Sequence, residues 1–132
     1  MTAVNSALPG AARTVSIPDP RARTVEREGR HFVLGMACAA CGHKTAVRVP
    51  WCPRCQSETT ERAFGPDGTV WSATVVHIKV ADRQPPYALA YVDLDEGPRV
   101  LAHVSTARPP AVGSRVRLTA PTPEGDIQVE PS

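Results

Sequence analysis

The chain has 132 residues, with 15 Lys and Arg against 13 Asp and Glu and a formal net charge of +2. That length holds one ordinary domain, or a small stapled module beside one compact barrel, and excludes two independent large cores. The near balance of charge is not that of a chain built to neutralise phosphate backbones, and no segment approaches the roughly 18 consecutive apolar residues of a membrane span.

Residues 1–30 are rich in Ala, Pro and Arg, and Pro9, Pro18 and Pro20 break any sustained helical period. Positions 1–10 carry no basic run ahead of a continuous apolar stretch, so no secretory signal is read there and a cytoplasmic location is expected. Arg21, Arg23, Arg27 and Arg30 make this a basic arm, either a solvated tail or a segment that docks on an acidic partner surface.

From position 31 the pattern becomes short strands, expected over 31–36, 44–49 and 58–64, with paired cysteines between them. The first pair reads Cys38-Ala39-Ala40-Cys41-Gly42 and the second Trp51-Cys52-Pro53-Arg54-Cys55, ten residues apart. Two residues between cysteines let a tight knuckle direct both sulfurs at one metal, with backbone N–H groups turned toward the thiolates. Gly42 supplies the permissive backbone one knuckle needs, and Pro53 stiffens the other. In a reducing compartment two such pairs are metal thiolates rather than disulfides. Cys38, Cys41, Cys52 and Cys55 are therefore expected to bind one Zn2+. Iron in a rubredoxin-like centre is the competing metal. Four thiolates fill all four tetrahedral positions, so the metal is structural and has no open site for water or substrate. His43 is read as a knuckle residue rather than a ligand, and Trp51 as packing over the ribbon.

The sequence Gly65-Pro66-Asp67-Gly68 is a strong turn signal and sets the boundary between a zinc ribbon over 31–64 and a second unit over 65–132. Five further strands are expected at 69–80, 87–94, 99–105, 115–120 and 127–130, the first three as a meander. Pro109 and Pro110 leave no room for a long helix between the third and fourth. Five strands with a long first one fit an OB-fold barrel, with a partial sandwich as the alternative. The fold class is thus mainly β, an N-terminal rubredoxin-like zinc ribbon followed by a five-stranded OB barrel.

No nucleophile elbow, phosphate-cradling glycine loop or zincin helix occurs, so an active site of the chain's own is not supported. His77 and His103 fall in expected strands and are read as hydrogen-bonded barrel histidines. Asp93, Asp95 and Glu96 are read as a solvated acidic turn. A single-stranded nucleic-acid binder is the alternative function. The barrel half, with six basic and eight acidic side chains, argues against it.

The order of these features resembles a family of rubredoxin-like zinc-ribbon plus OB-fold proteins associated with acyl-CoA metabolism, long listed as a domain of unknown function. The resemblance covers residues 31–120. It rests on the two cysteine pairs, on Gly68-Thr69-Val70-Trp71-Ser72-Ala73-Thr74-Val75-Val76-His77, and on Pro86-Tyr87-Ala88-Leu89-Ala90-Tyr91-Val92-Asp93-Leu94-Asp95-Glu96-Gly97. It implies a non-catalytic accessory subunit of a thiolase-like, condensing or aldolase-like enzyme. On that reading the ribbon docks on the catalytic partner and the OB domain helps hold a CoA thioester. Lys79, Arg83 and Arg99 are the candidates to receive the anionic end of CoA, and Trp71, Tyr87 and Tyr91 to wall a groove for its long neutral arm. Residues 1–30 depart from the family pattern, in which a short helix often precedes the ribbon.

Overall fold

The computed structural model describes residues 21–132. Among them nine strands form two sheets, and no helix is long and apolar enough to cross a membrane. The first sheet holds β1 (Arg23–Arg27), β2 (Arg30–Cys38), β3 (Lys44–Thr45) and β4 (Thr59–Phe64). The second is a closed barrel of β5 (Asp67–Val76), β6 (Tyr87–Leu94), β7 (Arg99–Val104), β8 (Arg115–Thr119) and β9 (Gln128–Pro131).

The arm expected over 1–30 lies outside the described residues as far as position 20. Beyond that it is corrected. Arg23–Arg27 is a strand paired antiparallel with β2, from Arg23 opposite Leu34 to Arg27 opposite Arg30. Glu28 and Gly29 close this hairpin with φ of 53° and 79°, the two positive angles that a two-residue turn needs to follow the twist of its strands. Composition hid the strand because its alternating Arg, Val and Arg side chains are polar or half-exposed.

The second ribbon strand is also shorter than expected. Of 44–49 only Lys44–Thr45 pairs with β2, and the chain then leaves the sheet toward the second knuckle. The expected turn at Gly65-Pro66 is a bend only, because β5 already begins at Asp67. At its other end β5 stops at Val76, so His77, Ile78 and Lys79 lie in an exposed loop rather than in the strand.

The barrel order is β5-β6-β7-β9-β8, closed by β8 on β5. β5 pairs with β6 along its length and, over Asp67, Gly68 and Thr69, with β8. It does both by bending at a register shift between Val70 and Ser72, where an extra residue increases local twist. β7 and β9 run parallel and every other barrel pair antiparallel. This is the OB arrangement, and barrel closure replaces the partial sandwich.

Strict alternation decides what is inside. Ala88, Ala90, Val92 and Leu94 of β6 and Val100, Ala102 and Val104 of β7 are buried, while the residues between them face out. Val70, Val92, Val116 and Val129 are completely or almost completely excluded from solvent, each contributing about 1.5–3 kcal/mol of burial. The same core takes in Val33 of β2 and Phe64 of β4. Phe64 packs on the turn between β6 and β7 so closely that a Cβ at Gly97 would sit 2.9 Å from its ring. The first sheet therefore shares the barrel's hydrophobic core.

Candidate functional site

Two knuckles bring the four cysteines together. In the first, Gly42 N donates to Cys38 O at 2.9 Å and Cys38 N to His43 O at 2.8 Å. In the second, Gln56 N donates to Cys52 O at 2.8 Å and Cys52 N to Ser57 O at 2.7 Å. Gly42 and Gln56 hold equivalent places, each following a second cysteine, and both have positive φ, 79° and 65°. The anticipated glycine thus has a glutamine counterpart, strained in a way few side chains tolerate.

The four Sγ atoms lie within 4.8 Å of one another, a group that could hold a metal ion. Cys38 and Cys52 are buried, whereas Cys41 and Cys55 are exposed. Arg54 N donates to Cys52 Sγ at 3.3 Å, the backbone-to-sulfur bond of a metal knuckle. Crowding splits the thiols. Hydrogen bonds from Ser57, chiefly, bring Cys55 down to about 6. Cys41 is pushed up to about 11: the His43 backbone favours its thiolate, but burial and bonds with the other sulfurs outweigh that. Four sulfurs from two knuckles, gathered within 4.8 Å of one another, are a donor set that fits a thiophilic metal. His43 contributes backbone and is not one of the clustered ligands. Trp51, expected to pack over the ribbon, is instead 59% exposed, where it bridges to Glu58 just ahead of the second knuckle.

The six residues proposed from sequence for CoA separate into two clusters and one outlier. Trp71, put outside by the register shift in β5, meets Tyr91 edge-on with ring centroids 6.0 Å apart. Arg99 lies over the Trp71 ring at 3.8 Å, and Asp93, opposite it on β6, grips it through two bonds of 2.6 and 3.1 Å. The Arg99 hydrogen bond holds Asp93 below the usual carboxylate range. Beside this cluster runs a groove of about 100 Å3 bordered by Ser72, Thr74, Leu89, Tyr91 and Leu101.

At the other end of the same strands Arg83 lies 5.4 Å over Tyr87 and is ion-paired to Glu124 at 2.5 Å. A cleft of about 300 Å3 opens there, with His103 and Asp126 in its wall. His103 is not the hydrogen-bonded histidine anticipated. Its Nδ1 is buried without a partner among the described residues, and Nε2 stands 3.6 Å from Asp126. Burial, then the nearby Arg83, lowers its pKa; Asp126 and Glu124 oppose the shift. Lys79 stands apart in the exposed loop after β5.

The sequence pattern did not single out Leu101 or Asp126, and it offered His103 only as a hydrogen-bonded barrel histidine. The signal that places Leu101 and His103 at these sites is the alternation of β7, which turns Arg99, Leu101 and His103 outward together. The barrel's arginines are mostly paired with acids, Arg99 with Asp93, Arg83 with Glu124, Arg115 with Asp95 and Arg117 with Asp67. Among the described residues these pairings offset much of the positive charge that a track for single-stranded nucleic acid would use.

A ribbon sheet with four clustered cysteines, fused through a common core to an OB barrel, defines the class of protein. Residues 61–120 match the family described as the ChsH2 C-terminal OB-fold domain. A "DUF35 domain-containing scaffold protein" of Methanocaldococcus jannaschii is 30% identical over 98 residues, 67% of this chain and 70% of that one. A protein of the same description from Pyrococcus furiosus is 36% identical over 93 residues, 64% of this chain and 68% of that one. The chain belongs to the DUF35 family. Among solved structures it is similar to a chain of the "Ltp2-ChsH2(DUF35) aldolase", with a TM-score of 0.64 and 27% identity over 76% of this chain and 84% of that one. A DUF35 protein of Sulfolobus solfataricus, at 17% identity and TM-score 0.56 over 76% of each chain, shares the fold.

Proposed function

We propose that this chain is a zinc-stabilised, non-catalytic accessory subunit of an acyl-CoA thiolase-like or aldolase-like complex. The observation that carries the reading is its likeness, over 76% of its length, to a chain of a DUF35-containing aldolase, alongside relatives described as scaffold proteins. Cys38, Cys41, Cys52 and Cys55 would hold one Zn2+, which supplies folding energy and, with its positions filled by sulfur, no reactive site. Chemistry then belongs to the partner.

The second half of the proposal is that the outer face of β5, β6 and β7 receives a CoA thioester. In OB folds the face of the second and third strands is the usual ligand surface, here Leu89, Tyr91, Leu101 and their neighbours. Its paired charges and apolar groove suit a long neutral pantetheine arm better than a polyanion. Arg99, locked by Asp93 and lying 3.8 Å over the Trp71 ring, offers a fixed cation at one end and Arg83 a second at the other, with Lys79 on the loop apart from both. The test is co-expression with a thiolase-type enzyme, followed by size-exclusion chromatography. Co-elution at fixed stoichiometry is expected, and separate elution from every such enzyme would overturn the proposal.

A further inference from the structure

The two halves of the cysteine cluster differ in access, and the sulfurs meet in a particular pattern. Cys38 Sγ lies 3.5 Å from Cys55 Sγ, and Cys41 Sγ lies 3.6 Å from Cys52 Sγ. Both contacts run between the knuckles rather than within one. Each also joins a buried sulfur to an exposed one. Pairs within a knuckle would also join a buried cysteine to an exposed one, so the two close contacts are what select the cross pairing; in each, the exposed cysteine meets a small oxidant first and its neighbour is placed to attack the oxidised product.

We propose that the four-cysteine centre is a peroxide-reactive site whose oxidised form carries two disulfides between the knuckles, Cys38–Cys55 and Cys41–Cys52. The inference rests on the zinc reading above. The exposed Cys55 thiolate attacks hydrogen peroxide, an S–O bond forms as the O–O bond breaks, and the departing oxygen leaves as water after taking up a proton. Cys38 then attacks the sulfenic sulfur, the S–S bond forms, and the sulfenic oxygen leaves as a second water. Cys41 and Cys52 repeat the sequence. Two peroxides and four protons are consumed, four electrons pass from sulfur to oxygen, and four waters and one Zn2+ are released. The consequence is specific to this pairing. Disulfides within each knuckle would leave the knuckles unjoined once the metal is lost. Disulfides between them keep Cys38, at the end of β2, tied to the knuckle that leads into β4, so the oxidised ribbon stays closed and thiol reductant with zinc restores it.

The experiment treats the zinc-loaded full chain with hydrogen peroxide, following zinc with a chromogenic chelator and mapping disulfides by mass spectrometry. Tryptic cleavage after Lys44, Arg48 and Arg54 puts Cys38 and Cys41 on one peptide and separates Cys52 from Cys55. The proposal expects one zinc released per chain and the first peptide linked to both others, with fragmentation between Cys38 and Cys41 giving the stated pairs. C41S should still form Cys38–Cys55 and leave Cys52 free. Linkage within the knuckles, the opposite cross pairing, sulfinic acid without disulfide, or retention of the metal would each overturn it. A chain that purifies without zinc contradicts the zinc reading instead, and peroxide treatment of that reduced chain still decides the pairing.

Discussion

Val33 on β2 and Phe64 on β4 are direct partners across the first sheet, and both are buried in the core of the barrel. Five residues beyond Val33 the same strand ends at Cys38, and the strand that ends at Phe64 begins four residues after Cys55. Two paired strands thus run from the metal centre into the barrel interior.

That connection predicts a single cooperative transition for ribbon and barrel. Phe64→Ala should lower stability by about 3–5 kcal/mol, through lost burial and the cavity left against Gly97. Urea unfolding followed by Trp51 emission for the ribbon and Trp71 emission for the barrel, in the corresponding single-tryptophan variants, should give coincident curves. Separate midpoints would show two independent units.

Metal removal should act through the same strands. Cys38→Ser leaves three sulfurs, and zinc content should fall well below one ion per chain, with loss of ribbon structure, because binding and folding are coupled in such sites. Elemental analysis checks the content and hydrogen exchange over Arg30–Cys38 checks the structure.

The two halves of the chain were unequally legible in its sequence. The barrel strands could be read because β6 and β7 alternate strictly and small or branched residues fill the inner positions. The cysteine spacing carried its own geometry. β1 could not be read that way, since its partner is set by the hairpin turn and not by an apolar face of its own. The Trp71, Tyr91 and Arg99 cluster depends on a register shift inside β5 that no local pattern announces. His77 and Lys79 were misplaced for a related reason: β-branched residues continue past Val76, but the ladder with β6 ends there.

On the barrel face, Trp71→Ala and Arg99→Ala should each weaken binding of a CoA thioester about tenfold, or about 1.4 kcal/mol, the scale of one stacked cation. Asp93→Asn should weaken it less, since it loosens Arg99 without removing it. Isothermal titration of acetyl-CoA, to the chain or its complex, measures all three.

The half-buried His103 gives a pH dependence with a definite sign. Its folded pKa is lowered, so the unfolded chain takes up the proton first, near pH of about 6.5. Stability from the neutral imidazole is complete above that value and is lost as pH falls through the lower folded one. Thermal midpoints should therefore drop more steeply between about pH 7 and pH 5 in the native chain than in His103→Gln. Parallel curves would remove His103 as the cause.

Whether this chain serves an enzyme rather than being one can be decided by titrating it into a purified thiolase-like partner while measuring turnover of an acyl-CoA substrate. Little activity is expected from either protein alone, with a rise that saturates at a fixed ratio of the two. Full activity of the partner without this chain, unchanged on its addition, would contradict it.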